Sequence, residues 1–220
     1  IFFFYFYKLI MVDIKKVNIV DVICLTSGKC GSSTLLKTFQ SNKLKTIRTH
    51  NKECFKRQFG YYGIIDLIDR SSKEKEVYII DSYRNPIERK ISSFFQNLHI
   101  DVPDYQNKKC EELIDFFNTN LIDIIEEYHS INPYLLHYNV GLFTNDDFKK
   151  GYFIKKKNNI IFIKILFKNI EKWDQILSEI FNKKIIINND NLTHHKKINS
   201  LYVEFKSKYK VPKKYLNEII

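Results

Sequence analysis

The sequence predicts an α/β fold of three layers, a central parallel sheet with helices on both faces. Three observations carry that expectation. Short runs rich in β-branched residues recur at 17–25, 44–48, 77–83 and 160–166, the pattern of buried strands. Segments whose apolar residues return at helical spacing lie between and after them. Strands that alternate with helices in this way form parallel sheets, and the crossovers lay helices on the two faces.

The first strand, 17–25, stops at Thr26-Ser27-Gly28, and a helix is expected from about residue 32 to residue 40. A short second strand covers 44–48. A polar, aromatic stretch and a charged turn over 71–76 lead into the third strand, 77–83. Pro86 stands where a first-turn helix proline belongs, so a helix follows over 87–98. Over 111–128 the apolar Leu113, Phe116, Phe117, Leu121, Ile124, Ile125 and Tyr128 predict another helix. The strand at 160–166 is expected to pair with 152–154, leaving Lys155, Lys156 and Lys157 in a solvated hairpin turn. Ile170, Trp173, Leu177, Ile180 and Phe181 mark a further amphipathic helix.

The 220 residues are 44% hydrophobic and 28% charged, enough to fill a core and unlike a disordered chain. Lys and Arg total 36 against 25 Asp and Glu, a formal net charge of +11. Such an excess favours an anionic partner: a nucleotide, a sulfated or phosphorylated ligand, nucleic acid or an anionic membrane surface. Heavy use of Ile, Lys and Asn has the look of genome base composition, so charge alone is a weak guide. Collagen, coiled coil and multi-span membrane proteins are excluded. Cys24, Cys30, Cys54 and Cys110 form no CxxC pair and no zinc-type spacing with histidine, and reduced thiols are expected. Residues 1–10 (IFFFYFYKLI) are apolar and aromatic, but shorter than the ~17–25 residues of a membrane span. They also lack the basic lead-in and cleavage site of a signal peptide. The expected organisation is a leader over 1–12, with Met11 as the start, and a single domain over 13–220 in the cytoplasm. Membrane anchorage is the alternative if residues 1–10 belong to a longer anchor.

Two constellations carry chemistry. Thr26-Ser27-Gly28-Lys29-Cys30-Gly31-Ser32-Ser33-Thr34 joins the first strand to the first helix. Its glycines let backbone N–H groups turn toward an anion, the helix N-terminus adds partial positive charge, and Lys29 adds a full one. Ser32, Ser33 and Thr34 offer hydroxyls to phosphate oxygens. This is not a Walker A loop, since Cys30 follows Gly28-Lys29 and no glycine precedes at the required distance. A magnesium-dependent nucleoside triphosphatase is therefore disfavoured. The plain alternative is a capped strand-to-helix turn with an incidental lysine. The second constellation is Arg84-Asn85-Pro86-Ile87-Glu88-Arg89-Lys90-Ile91-Ser92, at the end of the third strand. Arg84 offers a planar fork to phosphate and Ser92 a hydroxyl. Its alternative is a salt bridge from Arg84 to Asp81 or Glu88.

Together these segments resemble the sulfotransferases that use 3′-phosphoadenosine 5′-phosphosulfate (PAPS). Lys29-Cys30-Gly31-Ser32-Ser33-Thr34-Leu35 is similar to the family's 5′-phosphosulfate loop, K-x-G-[ST]-[ST]-x-x. The run from Arg84 to Ser92 is similar to its 3′-phosphate element, R-[ND]-P-x-x-R-x-x-S. Residues 134–143 and 148–152 look like the bacterial capsular polysaccharide synthesis group of carbohydrate sulfotransferases, and Asn169-Ile170-Glu171-Lys172-Trp173 like the family's late helix. An acidic residue that often ends the late strand is absent, since Leu166-Phe167-Lys168 stands there. The resemblance covers most of 18–206.

That resemblance implies a P-loop-NTPase-like sulfotransferase fold, PAPS as cosubstrate without a metal, and a hydroxyl acceptor, most plausibly on a carbohydrate. It implies Lys29, Cys30, Gly31, Ser32, Ser33, Thr34, Arg84 and Ser92 as the nucleotide site, with Lys29 also acting on the leaving phosphate. Arg48-Thr49-His50 stands where cytosolic members carry K-T-H, which makes His50 a candidate base; arginine keeps only the charge of the lysine. Glu53 is the alternative base, because many carbohydrate sulfotransferases use a glutamate. A basic segment near the C-terminus often closes over the nucleotide, so Lys196 or Lys197 is a candidate phosphate contact, with a solvated basic turn as the alternative. Two other classes stay open. A P-loop-like small-molecule kinase needs a magnesium-binding acid, for which Asp81 is the candidate. A non-enzymatic nucleic-acid binder is the other, although the lysines are spread along the chain and show no recognised module.

Overall fold

The computed structural model describes residues 19–50, 55, 63–120, 131–143, 151–188 and 198–212. The strands are β1 Val22–Leu25, β2 Thr46–Thr49, β3 Val77–Tyr83, β4 Tyr152–Lys157 and β5 Ile160–Leu166. The helices are α1 Ser32–Ser41, α2 Ile64–Glu74, α3 Pro86–Asp101, α4 Cys110–Asn120, α5 Asn132–His137, α6 Trp173–Ile180 and α7 Asn199–Lys208. They fall into two compact units, one of residues 1–83 and 129–188, the other of 84–128 and 189–220. Among the described residues no helix is long and apolar enough to cross a membrane.

The first unit is α/β, built on a five-stranded, mostly parallel sheet in the order β2-β1-β3-β5-β4. β1 pairs in parallel with β2 and β3, and β3 with β5. β4 runs antiparallel to β5 as a hairpin edge. Ile23 and Leu25 of β1, Val77 and Ile79 of β3, and Ile160 and Phe162 of β5 pack with Ile64, Leu67 and Ile68 of α2 and Leu135 of α5. Their chain neighbours Val22, Cys24, Ile80, Ile161, Ile163 and Ile165 pack instead with Leu35 and Phe39 of α1 and Trp173 and Leu177 of α6. Successive strand residues thus feed opposite faces, and both faces carry helices. That is why these strands read as unbroken apolar runs.

Four expectations need correction. Among the described residues the first strand begins at Val22, with the Asp21 carboxylate accepting the Lys45 backbone N–H and pairing with Lys75 Nζ, while residues 17 and 18 of the expected run lie outside the described residues. The charged turn over 71–76 is mostly helix, since α2 continues to Glu74 and buries Ser71, whose Oγ accepts the Val20 N–H. Lys155, Lys156 and Lys157 are strand residues of β4, not a turn. Lys155 Nζ donates to the Gly141 and Leu142 carbonyls, and Lys156 Nζ pairs with Glu76 at 2.6 Å. The turn falls at Asn158, whose φ of 51° suits a tight hairpin. Finally, the sheet is mixed, with β4 antiparallel.

The second unit is helical. Ile87, Ile91, Phe94, Phe95 and Leu98 of α3 pack against Leu113 and Phe117 of α4 and Phe205 of α7. The Phe205 ring lies 5.2 Å from Phe95, 5.7 Å from Phe117 and 5.9 Å from Phe94, centroid to centroid. Such tilted and edge-on pairs add packing energy beyond area burial. The part of the helix expected over 121–128 lies outside the described residues.

Candidate functional site

β1 is the switch point of the sheet, with β2 on one side and β3 on the other. In open α/β sheets, ligands bind beyond the carboxyl ends of strands at such a point. The loop from Thr26 leaves β1 there and enters α1. Lys29 (φ 68°) and Gly31 (φ 81°) both take the left-handed conformation. No side chain caps the first turn of α1, and no acidic residue sits in it. A helix start of this kind presents backbone N–H groups and positive potential to an anion.

The loop's side chains divide by burial. Ser27, Cys30, Ser32 and Thr34 are buried, whereas Lys29 and Ser33 are half-buried and Gly28 is exposed. Cys30 Sγ lies 3.0 Å from Ser27 Oγ, and Ser82 Oγ donates to the Cys30 carbonyl. The Cys30 thiol is therefore turned back onto the loop itself, and the Cys30 carbonyl ties the loop to β3. Gly31 is required by space as well as by φ. A Cβ there would stand 2.8 Å from Trp173 Cη2 and 3.1 Å from Phe167 Cε2.

Two residues at the end of β2 reach this loop. Arg48 is in register with Cys24, so it lies on the α1 face of the sheet. Its Nη1 donates to Ser33 Oγ at 2.8 Å, which brings a second cation to the head of α1. Burial pushes the Cys24 thiol up to about 12, and the Arg48 charge opposes that rise. His50 follows β2 directly, and its Nδ1 lies 2.7 Å from the Thr26 carbonyl oxygen. A carbonyl only accepts, so Nδ1 carries the hydrogen and Nε2 is the basic nitrogen. Glu53, Lys196 and Lys197 lie outside the described residues.

Asp81, weighed from sequence as a magnesium ligand, is 1% exposed. It is in register with Lys164 on β5, whose Nζ stands 4.0 Å from Asp81 Oδ2. The same ammonium lies 5.4 Å from the centroid of the Tyr83 ring. A buried cation thus already faces this carboxylate.

In the helical unit, Asn85 Oδ1 accepts the Ile87 and Glu88 N–H groups at 3.0 and 3.3 Å, and Pro86 opens the first turn of α3. Asn-Pro in this segment is a helix start in its own right. The Arg84 side chain is 8% exposed. Its Nη2 donates to the Tyr202 hydroxyl at 3.2 Å, and its Nε stands 3.7 Å from Glu88 Oε2. Glu88 Oε1 accepts from Lys206 Nζ at 3.0 Å. Of the two carboxylates weighed for Arg84, the close partner is thus Glu88, while Asp81 faces Lys164. Ser92 is half-buried one turn beyond Glu88 on α3. Tyr202 and Lys206 were not anticipated, because α7 carries no strong helical signal and they meet Arg84 and Glu88 only in three dimensions.

Comparison with protein-family models, with curated proteins and with solved structures finds no match to this chain.

Proposed function

We propose that this chain is a PAPS-dependent sulfotransferase of the P-loop-like type, moving a sulfuryl group to a hydroxyl of a carbohydrate acceptor. The observation that carries the reading is the head of α1. There a turn with Lys29 and Gly31 in the left-handed conformation opens a helix with no side-chain cap. Arg48 is bonded to Ser33 beside it, and His50 is bonded to Thr26 with Nε2 as its basic nitrogen. An anion seat, two cations and an imidazole with an accepting nitrogen are the groups that sulfuryl transfer needs.

In the proposed reaction the acceptor oxygen bonds to sulfur as the bond from sulfur to the 5′-phosphate oxygen breaks. The acceptor proton goes to His50 Nε2, and adenosine 3′,5′-bisphosphate leaves. Lys29, Arg48 and the N–H groups of α1 offset the charge that grows on the departing phosphate. Base assistance of about 10²–10⁴-fold fits a weakly acidic sugar hydroxyl. The 3′-phosphate is assigned to Arg84 and Ser92. A kinase reading is less well supported, since Asp81 is already faced by Lys164.

The test is calorimetric titration with adenosine 3′,5′-bisphosphate, AMP and ATP, followed by sulfation of glycan acceptors with labelled PAPS. The bisphosphate is expected to bind well ahead of AMP, because each charge-assisted hydrogen bond to the 3′-phosphate contributes about 1.5–3 kcal/mol. Equal affinity for the bisphosphate and AMP, or tightest binding of ATP with magnesium, would overturn the assignment.

A further inference from the structure

The ion cluster on α3 and α7 contains a carboxylate where a 3′-phosphate site should contain none. Glu88 and Ser92 are spaced i, i+4 on α3 and so share one face of the helix, while Arg84 immediately precedes the Asn85 cap and pairs with Glu88. In sequence Glu88 lies between the two residues assigned to the phosphate. Its two oxygens are also divided between two cations: Oε2 lies 3.7 Å from Arg84 Nε, and Oε1 lies 3.0 Å from Lys206 Nζ. One carboxylate therefore bridges two positive groups, one just before α3 and one on α7, as a phosphate monoester does with its several oxygens. The cations are held independently of it. Arg84 is nearly buried and donates to the Tyr202 hydroxyl, while Tyr202 packs edge-on against Phe95 at 5.1 Å. The Lys206 ammonium lies 5.9 Å from the centroid of the Tyr202 ring. Glu88 is 40% exposed and can swing into water without disturbing the core.

We infer that Glu88 is a resident counter-anion: it occupies the place of the ligand's 3′-phosphate, keeps Arg84 and Lys206 together in the empty protein, and yields both when the phosphate enters. Lys206, on α7, is accordingly a third ligand of the 3′-phosphate, with Tyr202 positioning Arg84. This deepens the sulfotransferase reading and rests on its assignment of the 3′-phosphate to Arg84. The ligand chemistry is a phosphate monoester dianion, which outcompetes a carboxylate by charge and by its number of acceptor oxygens.

The experiment measures affinity of the full chain for adenosine 3′,5′-bisphosphate and for AMP in wild type, Glu88→Gln, Lys206→Met and Arg84→Gln, with folding checked by circular dichroism. Glu88→Gln should bind the bisphosphate about threefold or more tightly, since a competing exposed ion pair is removed. Lys206→Met should bind it about tenfold more weakly, through loss of a charge-assisted contact. AMP affinity should move in neither variant. The opposite signs are the signature, because a merely structural Glu88–Lys206 bridge would make both variants change in the same direction. If Glu88→Gln weakens or leaves unchanged the bisphosphate affinity while Arg84→Gln loses it, the counter-anion idea is overturned and the 3′-phosphate assignment stands. If wild type binds AMP and bisphosphate equally, the assignment itself fails and the inference falls with it.

Discussion

Gly31→Ala is the sharpest perturbation of the loop that the sheet unit offers. Two costs follow from the structure. The residue has φ 81°, and a left-handed conformation costs an L-residue roughly 1–2 kcal/mol. Its new Cβ would stand 2.8 Å from Trp173 Cη2 and 3.1 Å from Phe167 Cε2, closer than atoms pack. Trp173 cannot simply step aside: it is fully buried and its Nε1 donates to the Leu166 carbonyl at 3.1 Å. Overpacking of this kind costs about 1–3 kcal/mol. The sum is about 2–5 kcal/mol, a large part of the ~5–15 kcal/mol that stabilises a typical domain. Urea unfolding followed by tryptophan emission reads this directly, since Trp173 is the chain's one tryptophan and touches the mutated position. Gly28→Ala is the internal control, because a Cβ there meets nothing within 4 Å and its φ is not in the positive range. It should be neutral or stabilise by up to about 1 kcal/mol through the unfolded chain. A loss below about 1 kcal/mol for Gly31→Ala, or an equal loss for Gly28→Ala, would refute this account of the loop.

Other outcomes follow from the same geometry. Lys164→Met leaves the buried Asp81 carboxylate without the ammonium at 4.0 Å, and should cost about 3–5 kcal/mol. The double variant with Asp81→Asn should recover much of that in a double-mutant cycle, whereas strict additivity of the two singles would show that the pair is not coupled. The Cys24 thiol, held at about 12 by burial, titrates near 8.5 once the chain unfolds. Its contribution to stability is therefore full below the unfolded value and is lost as pH rises from there toward 12. Urea midpoints at pH 8 and pH 10.5 should thus fall further in wild type than in Cys24→Val, and equal falls would remove Cys24 from the alkaline transition. On the proposed sulfotransferase reading, His50→Ala should cut sulfation of a glycan acceptor while leaving bisphosphate affinity nearly intact. Loss of turnover in Glu53→Gln with His50→Ala still active would make the glutamate the base.

The elements that could be read from the sequence are those whose signal is local. β3 and β5 were legible from end to end because both faces are buried, so every position from 77 to 80 and 160 to 163 is apolar or aromatic. Asp21 hid the true start of β1, since a run of Val and Ile gives no hint that its one carboxylate is taken by Lys75 and the Lys45 N–H. The lysines of β4 looked like a turn because an edge strand half in water needs no apolar alternation. α2 was obscured at its C-terminal end by Ser71, a turn-like residue that in fact sits fully buried under the Val20 N–H. α7 has one fully buried residue, Phe205, and its stability comes from the aromatic rings of α3 and α4 rather than from its own periodicity.

The candidate sites divide along the same line. A glycine-and-hydroxyl loop after a strand, and an Arg-Asn-Pro segment opening a helix, are contiguous in sequence and announce where an anion could sit. What tunes those places is not contiguous. Arg48 meets Ser33 across 15 residues, His50 meets Thr26 across 24, and Arg84 meets Tyr202 across 118. Each of these partners decides a chemical property that the local pattern leaves open: which serine shares a cation, which imidazole nitrogen is basic, which way a guanidinium is held. Spacing can locate a binding loop because backbone N–H groups and helix ends are generic donors. Tautomer and charge neutralisation depend on the one carbonyl or carboxylate within 3 or 4 Å, and only the folded register of β2 beside β1, or of α7 beside α3, supplies it.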